Sequence, residues 1–92
     1  MINIDNSILI IKEYGHIVVT LREIMDSRGI SRNRLARLIN ARYEVINKWY
    51  NGEVERIDAD ILARLCYVLD CKVEDILQYK RREPREESDS KQ

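Results

Sequence analysis

The chain has 92 residues, and its 16 lysines and arginines are balanced by 16 aspartates and glutamates, so the formal net charge is zero. That length holds one small domain and excludes large enzyme folds such as an eight-stranded α/β barrel or a full dinucleotide-binding sheet. With 45% hydrophobic and 35% charged residues, the chain is globular rather than wholly disordered.

The longest apolar run near the start, Ile8 to Ile11, is far too short to span a bilayer. The N-terminus lacks a basic segment, a long apolar stretch and a small-residue cleavage site, so no signal peptide is expected and a cytoplasmic location is. Residues 8–20, ILIIKEYGHIVVT, place two β-branched runs around Glu13 to His16, with Gly15 available for a positive φ. This pattern predicts a hairpin, or one strand preceded by an arm.

Thr20-Leu21-Arg22-Glu23 has the capping-box arrangement, a threonine hydroxyl followed three residues later by a glutamate. A first helix is predicted from Leu21, with Leu21, Ile24 and Met25 as its apolar stripe and Gly29 ending it after Arg28. Ile30 is expected to point into the core. Ser31 then caps a second helix, Arg32 to Ile39, whose inner face is Leu35, Ala36, Leu38 and Ile39. Arg32, Arg34 and Arg37 are left outside. Asn40 tolerates the left-handed conformation of a tight helix exit.

A third helix is predicted over about Tyr43 to Asn51, stopped by Asn51-Gly52. Ile46 and Trp49 face inward with Val45 beside them, whereas Tyr43, Glu44, Asn47, Lys48 and Asn51 face outward. Asp58 caps a fourth helix, Ala59 to Leu69, with Ile61, Leu62, Leu65, Cys66 and Leu69 as apolar positions and Asp70 or Cys71 at its end. A fifth, short helix starts near Val73, with Glu74 and Asp75 at its positive end. Ile76, Leu77 and Tyr79 are expected to close the core. Alternatively, Leu77 to Lys80 is extended and pairs with Ile17 to Val19. The last stretch, KRREPREESDSKQ, has no apolar residue except Pro84 and is expected to be a disordered charged tail.

Chemistry is sparse. Cys66 and Cys71 have the wrong spacing for a CxxC site, and the single His16 cannot complete a zinc set. Buried free thiols are expected, with no metal and no cofactor. One histidine, no glycine-rich phosphate loop and mainly exposed helical carboxylates give an enzyme nothing to assemble, so an enzyme is not expected.

A zero net charge would argue against a nucleic-acid partner, whose phosphates reward basic surfaces. The distribution says otherwise. Residues 31–56 carry six basic side chains (Arg32, Arg34, Arg37, Arg42, Lys48, Arg56) against Glu44, Glu53 and Glu55, while both flanks are net acidic. Charge alone is better explained by a solvated helix face.

Arg32 to Gly52, RNRLARLINARYEVINKWYNG, resembles the helix-turn-helix unit of the Cro/cI family, the lambda-repressor-like or XRE-type DNA-binding domains of bacteria and phages. Gly29-Ile30-Ser31 is similar to the family's junction between helices 1 and 2. Leu35-Ala36 is similar to its Leu-Ala pair, and Ile46, Trp49 and Asn51-Gly52 to the hydrophobic pair and stop of its third helix. The resemblance covers about Val18 to Tyr79. It implies a mainly α, five-helix lambda-repressor-like fold with a short N-terminal β-strand or hairpin. The implied organisation is an arm or strand at residues 1–16, the helix-turn-helix domain at 17–79 and the tail at 80–92. Physical reasons accompany these positions. Helices 2 and 3 cross steeply and need a small residue where they touch, which Ala36 supplies. Asn40 departs from the family's usual glycine but remains sterically acceptable.

The resemblance implies a sequence-specific, repressor-like DNA-binding transcriptional regulator with a recognition helix over about 43–51 in the major groove. By that carry-over Tyr43, Glu44, Asn47 and Lys48 contact bases. Lys48 can donate to guanine, Asn47 can pair with adenine, and Glu44 either accepts from cytosine or simply pairs with Lys48. Arg32, Arg42, Asn51 and Arg56 are the phosphate candidates. Arg34 and Arg37 are partly turned away, and Trp49 is core rather than a stacking platform. The apolar Ile8–Ile11 run is expected to pair within the chain or across a homodimer. A dimer would set two recognition helices roughly 34 Å apart on double-stranded DNA with a near-palindromic operator. The second reading keeps the fold but loses DNA binding, leaving a protein-interaction module or antitoxin-like partner; Glu44, Glu53 and Glu55 favour it.

Overall fold

The structure, a computed structural model, describes residues 14–82. Its elements are β1 (His16–Val19), α1 (Leu21–Arg28), α2 (Arg32–Leu38), α3 (Tyr43–Asn51), α4 (Ala59–Leu69), α5 (Val73–Ile76) and β2 (Leu77–Lys80). The chain divides into a helical unit, Val18–Gln78, and a smaller unit of flanking stretches, of which residues 14–17 and 79–82 are described. The apolar run Ile8–Ile11 and most of the charged tail lie outside the described residues.

Each helix of the body buries one stripe. Leu21 and Met25 from α1, Leu35 and Ala36 from α2, Ile39, Ile46 and Trp49 from the next turn and α3, Leu65 and Leu69 from α4, and Ile76 from α5 are all buried. No polar side chain among the described residues is buried with them. The core is therefore held by apolar burial, worth roughly 1.5–3 kcal/mol for each large side chain.

The ends of α1 to α4 share one device. Each is followed by a residue in the left-handed region: Gly29 (φ 65°), Asn40 (φ 57°), Gly52 (φ 73°) and Asp70 (φ 50°). Past each of these, an N–H returns to a carbonyl five residues earlier. Ile30 donates to Met25 at 3.0 Å, Ala41 to Ala36 at 2.9 Å, Glu53 to Lys48 at 2.9 Å and Cys71 to Cys66 at 3.1 Å. These bonds satisfy carbonyls that the helix itself leaves open, and they turn the chain within two or three residues. Asn40 thus does the work expected of it. Asp70 does the same work without being singled out for that conformation.

The starts of the helices are less uniform. Ser31 accepts from the Arg34 N–H at 3.1 Å, and Asp58 accepts from Asp60 and Ile61 at 2.8 and 3.2 Å, as their sequence positions predict. Thr20 does not cap α1. Its hydroxyl donates to the Asp75 carbonyl at 2.7 Å, and its N–H donates to the Ile76 carbonyl at 2.6 Å. The expected capping box gives way because Thr20 directly follows β1, where α5 offers it a partner 55 residues away. Thr20→Val should keep the shape and lose one bond. A drop in unfolding free energy of about 1 kcal/mol in urea titration is expected. An unchanged midpoint would contradict this role.

Extended Leu77–Lys80 is the arrangement found, pairing with β1 in a two-stranded sheet. Gly15 serves it differently from the positive-φ use that the sequence suggests: a Cβ at Gly15 would collide with the Lys80 carbonyl. The position is glycine because another backbone passes close by. Tyr79 is 57% exposed rather than core, and its hydroxyl accepts from the Gly15 N–H at 2.9 Å. Leu38, placed on the inner face of helix 2 by its spacing, is 50% exposed. The helix ends at Leu38, one residue short of the expected Ile39, which is buried as expected. Cys66 and Cys71 are free but only half-buried. Burial, with the Cys66 thiol and Asp75 nearby and Arg28 opposing them, pushes the Cys71 thiol up.

Candidate functional site

Helix α3 is sharply two-sided. Ile46 and Trp49 are at 0% and 3% exposure, and Val45 packs beside them. Tyr43, Glu44, Lys48 and Asn51 stand in solvent, while Asn47 is half-buried. The buried pair locks the helix against the body, so its opposite side forms a projecting polar ridge. Arg42 occupies the N-cap position of α3 and is exposed. Its carbonyl accepts from Val45 and Ile46 at 3.1 and 3.4 Å, but no side chain caps the first turn. An anion placed there meets both the open N–H groups and the Arg42 guanidinium.

Arg32, the first residue of α2, reaches across to α3. Its Nη1 donates to Asn47 Oδ1 at 2.9 Å, and its guanidinium lies 4.6 Å from the centre of the Tyr50 ring. The Arg22 guanidinium lies 5.1 Å from the same ring. The Tyr50 hydroxyl donates to Asp26 Oδ1 at 2.9 Å, and Asp26 Oδ2 is 3.8 Å from Arg22 Nε. One polar cluster therefore ties α1, α2 and α3 together. Sequence reasoning nominated Arg32 and Asn47 and missed Arg22, Asp26 and Tyr50. The i,i+4 spacing of Arg22 and Asp26 was visible, but its convergence with Tyr50 depends on how three helices cross.

The remaining cations fall into two groups. Arg28 donates to the Leu69 carbonyl, and Arg64 donates to the carbonyls of Ile39 and Asn40 at 3.0 and 3.4 Å while pairing with Asp60 at 2.6 Å. These two sit on helix C-termini, where a positive charge is favoured. Arg34, Arg37, Arg42, Lys48 and Arg56 are exposed, with no ion pair among the described residues. Glu44 and Lys48 do not pair with each other, although their i,i+4 order permits it. Both side chains remain available to a partner. Arg56 is exposed at a groove rim. It lines a groove of about 560 Å³ with Lys48, Trp49, Glu53, Glu55 and Asp58, where carboxylates outnumber cations. Asn51 ends α3, exposed beside Gly52.

Among the described residues no group of three or more metal-binding side chains gathers, and no helix is long and apolar enough to cross a membrane. A family model described as the Cro/C1-type helix-turn-helix DNA-binding domain matches residues 20–81. Comparison with curated proteins finds no match. Among solved structures, the chain is similar to a Bacteroides fragilis protein provisionally described as DNA-binding. That pair has a TM-score of 0.61 and 11% identity, over 68% of this chain and all of that one. It is also similar to the transcriptional regulator VanUg, with a TM-score of 0.61 and 16% identity over 75% of this chain and 91% of that one. At such identities the two structures speak for the fold.

Proposed function

The chain belongs to the Cro/C1-type helix-turn-helix DNA-binding family, and from that premise we propose that it is a sequence-specific transcriptional regulator of repressor type, acting as a homodimer with α3 in the major groove of double-stranded DNA. The observation that carries this reading is the polar ridge of α3, projecting opposite the buried Ile46 and Trp49 with Glu44 and Lys48 unpaired. Tyr43, Glu44, Asn47 and Lys48 are its base-reading side chains. Arg42, at the uncapped start of α3, is the principal phosphate contact, with Arg32 and Asn51 in support. Arg56 ranks last, because its acidic groove opposes a phosphate.

Binding of a labelled duplex, followed by fluorescence anisotropy across a salt series, tests this. The logarithm of the association constant should fall by about 0.9 per neutralised phosphate for each unit of log salt. Lys48→Ala should change the ranking of single-base operator variants rather than weaken all of them equally, with roughly 1–3 kcal/mol of discrimination lost at one position. Salt-independent binding, or an unaltered ranking, would contradict the proposal.

A second reading has its own observation. Tyr67 is 87% exposed and Leu38 50%, and both line a groove of about 400 Å³ between α4 and the end of α2. Exposed apolar side chains gathered at a groove are a candidate protein contact. Co-purification of a stoichiometric protein with no DNA retention at low salt would favour an interaction module over a regulator.

A further inference from the structure

Tyr50, Asp26 and Arg22 take no part in the proposed DNA contacts, yet they cluster around a hydrogen bond that joins two residues which do. We propose that Arg32 is a positioning residue for Asn47: stacked on Tyr50, it holds the Asn47 carboxamide in one orientation before DNA arrives, so base discrimination by α3 is set partly from α2. This rests on the DNA-binding reading above.

The chemistry fixes the orientation. A guanidinium has five donors and no acceptor, so the amide atom facing Arg32 is oxygen. The bond is 2.9 Å. The Asn47 amino group is then the end left without a protein partner among the described residues, and it offers two donors to an acceptor such as purine N7, guanine O6 or thymine O4. A free asparagine side chain samples several rotamers, and each must be frozen on binding. Here that ordering is already in place on folding. The holder is itself held, because the Arg32 guanidinium lies 4.6 Å from the Tyr50 ring centre. The ring in turn is anchored by its hydroxyl bond to Asp26, 2.9 Å long. Charge alone does not reproduce this arrangement. Lysine has neither the planar fork nor the flat surface that stacks on a ring.

That difference supplies the test, made on the whole chain with Arg32→Lys, Asn47→Ala and the double variant. The probe is the duplex selected by the wild-type protein together with its single-base variants. Wild-type protein should discriminate at the pair facing Asn47 by roughly five- to a hundredfold. Arg32→Lys keeps the charge, so its salt slope should change by less than one phosphate, about 0.9. Its discrimination at that pair should fall to the Asn47→Ala level, and the double variant should lose no more. Tyr50→Phe keeps the ring but loses its bond to Asp26, so discrimination should fall part of the way towards the Arg32→Lys level. In the free protein, NMR order parameters of the Asn47 side-chain amide should drop in Arg32→Lys. Selective wild-type binding together with full discrimination in Arg32→Lys, or additive losses in the double variant, would overturn this inference alone. A wild-type protein without salt-dependent DNA binding would instead remove the functional reading, and the specificity role with it.

Discussion

Trp49→Ala is expected to leave the helical unit unfolded, or nearly so, at room temperature. Trp49 is 3% exposed and packs among Ile46, Leu35 and the other buried side chains of one shared core. Truncating a buried tryptophan costs about 3–5 kcal/mol, combining lost transfer energy with the cavity left behind. A domain of this length has a total stability of roughly 3–9 kcal/mol. The loss is thus comparable with the whole margin. No disulfide joins the free Cys66 and Cys71. Far-ultraviolet circular dichroism in a urea series reads the effect directly. Leu38→Ala is the matched control: at 50% exposure it should move the midpoint little. Equal effects of the two substitutions would show that the assigned core is wrong.

Arg42→Glu is expected to separate binding from folding. A carboxylate at the start of a helix interacts favourably with the positive end of its dipole. Arg42 holds that place on α3, with no cap hydrogen bond from its own side chain to lose. Stability should therefore stay level or rise by a few tenths of a kcal/mol. Binding should weaken on every DNA sequence by about tenfold or more, because a phosphate contact becomes a like-charge encounter. The salt slope should also shrink by about 0.9 or more. Anisotropy titrations beside a denaturation curve check both halves. Lost stability would mean that Arg42 is structural. Unchanged affinity would remove the start of α3 from the interface.

The fold was largely legible because its cues are local. Ser31, Asp58, Gly29, Asn40 and Gly52 each act within a few residues of themselves, so reading along the chain places the helices. The failures have a common physical cause. Thr20 looked like a cap because Glu23 follows it, but the hydroxyl found Asp75 across the fold. Gly15 looked like a turn residue, but its constraint comes from Lys80. Leu38 satisfied the helical spacing of a buried position, yet it is half exposed, while the other expected inner-face residues Leu35, Ala36 and Ile39 are buried. Local rules are overridden where a distant segment offers a better partner.

The candidate site was legible in composition but not in connection. The outward face of α3 follows from the spacing of Ile46 and Trp49. The i,i+4 rule left pairing of Glu44 with Lys48 as one of two readings, and the structure leaves both side chains unpaired. The cluster of Arg22, Asp26, Arg32, Asn47 and Tyr50 draws on three helices, and no spacing within one helix announces it. It changes the meaning of a nominated pair, since Arg32 and Asn47 are hydrogen-bonded to each other.

The zero net charge also gains a sharper meaning. Arg28 and Arg64 are committed to helix ends, and Arg56 shares a groove with three carboxylates. The cations left for phosphates are few, so non-specific affinity should be low and selectivity should rest on α3. Selection of bound duplexes from a random DNA library at low salt, followed by sequencing, tests that claim most directly. The expected result is an enriched pair of half-sites related by two-fold symmetry, with centres about one helical turn apart, that disappears when the selection is repeated with Arg42→Glu. A selected pool indistinguishable from the starting library would contradict it.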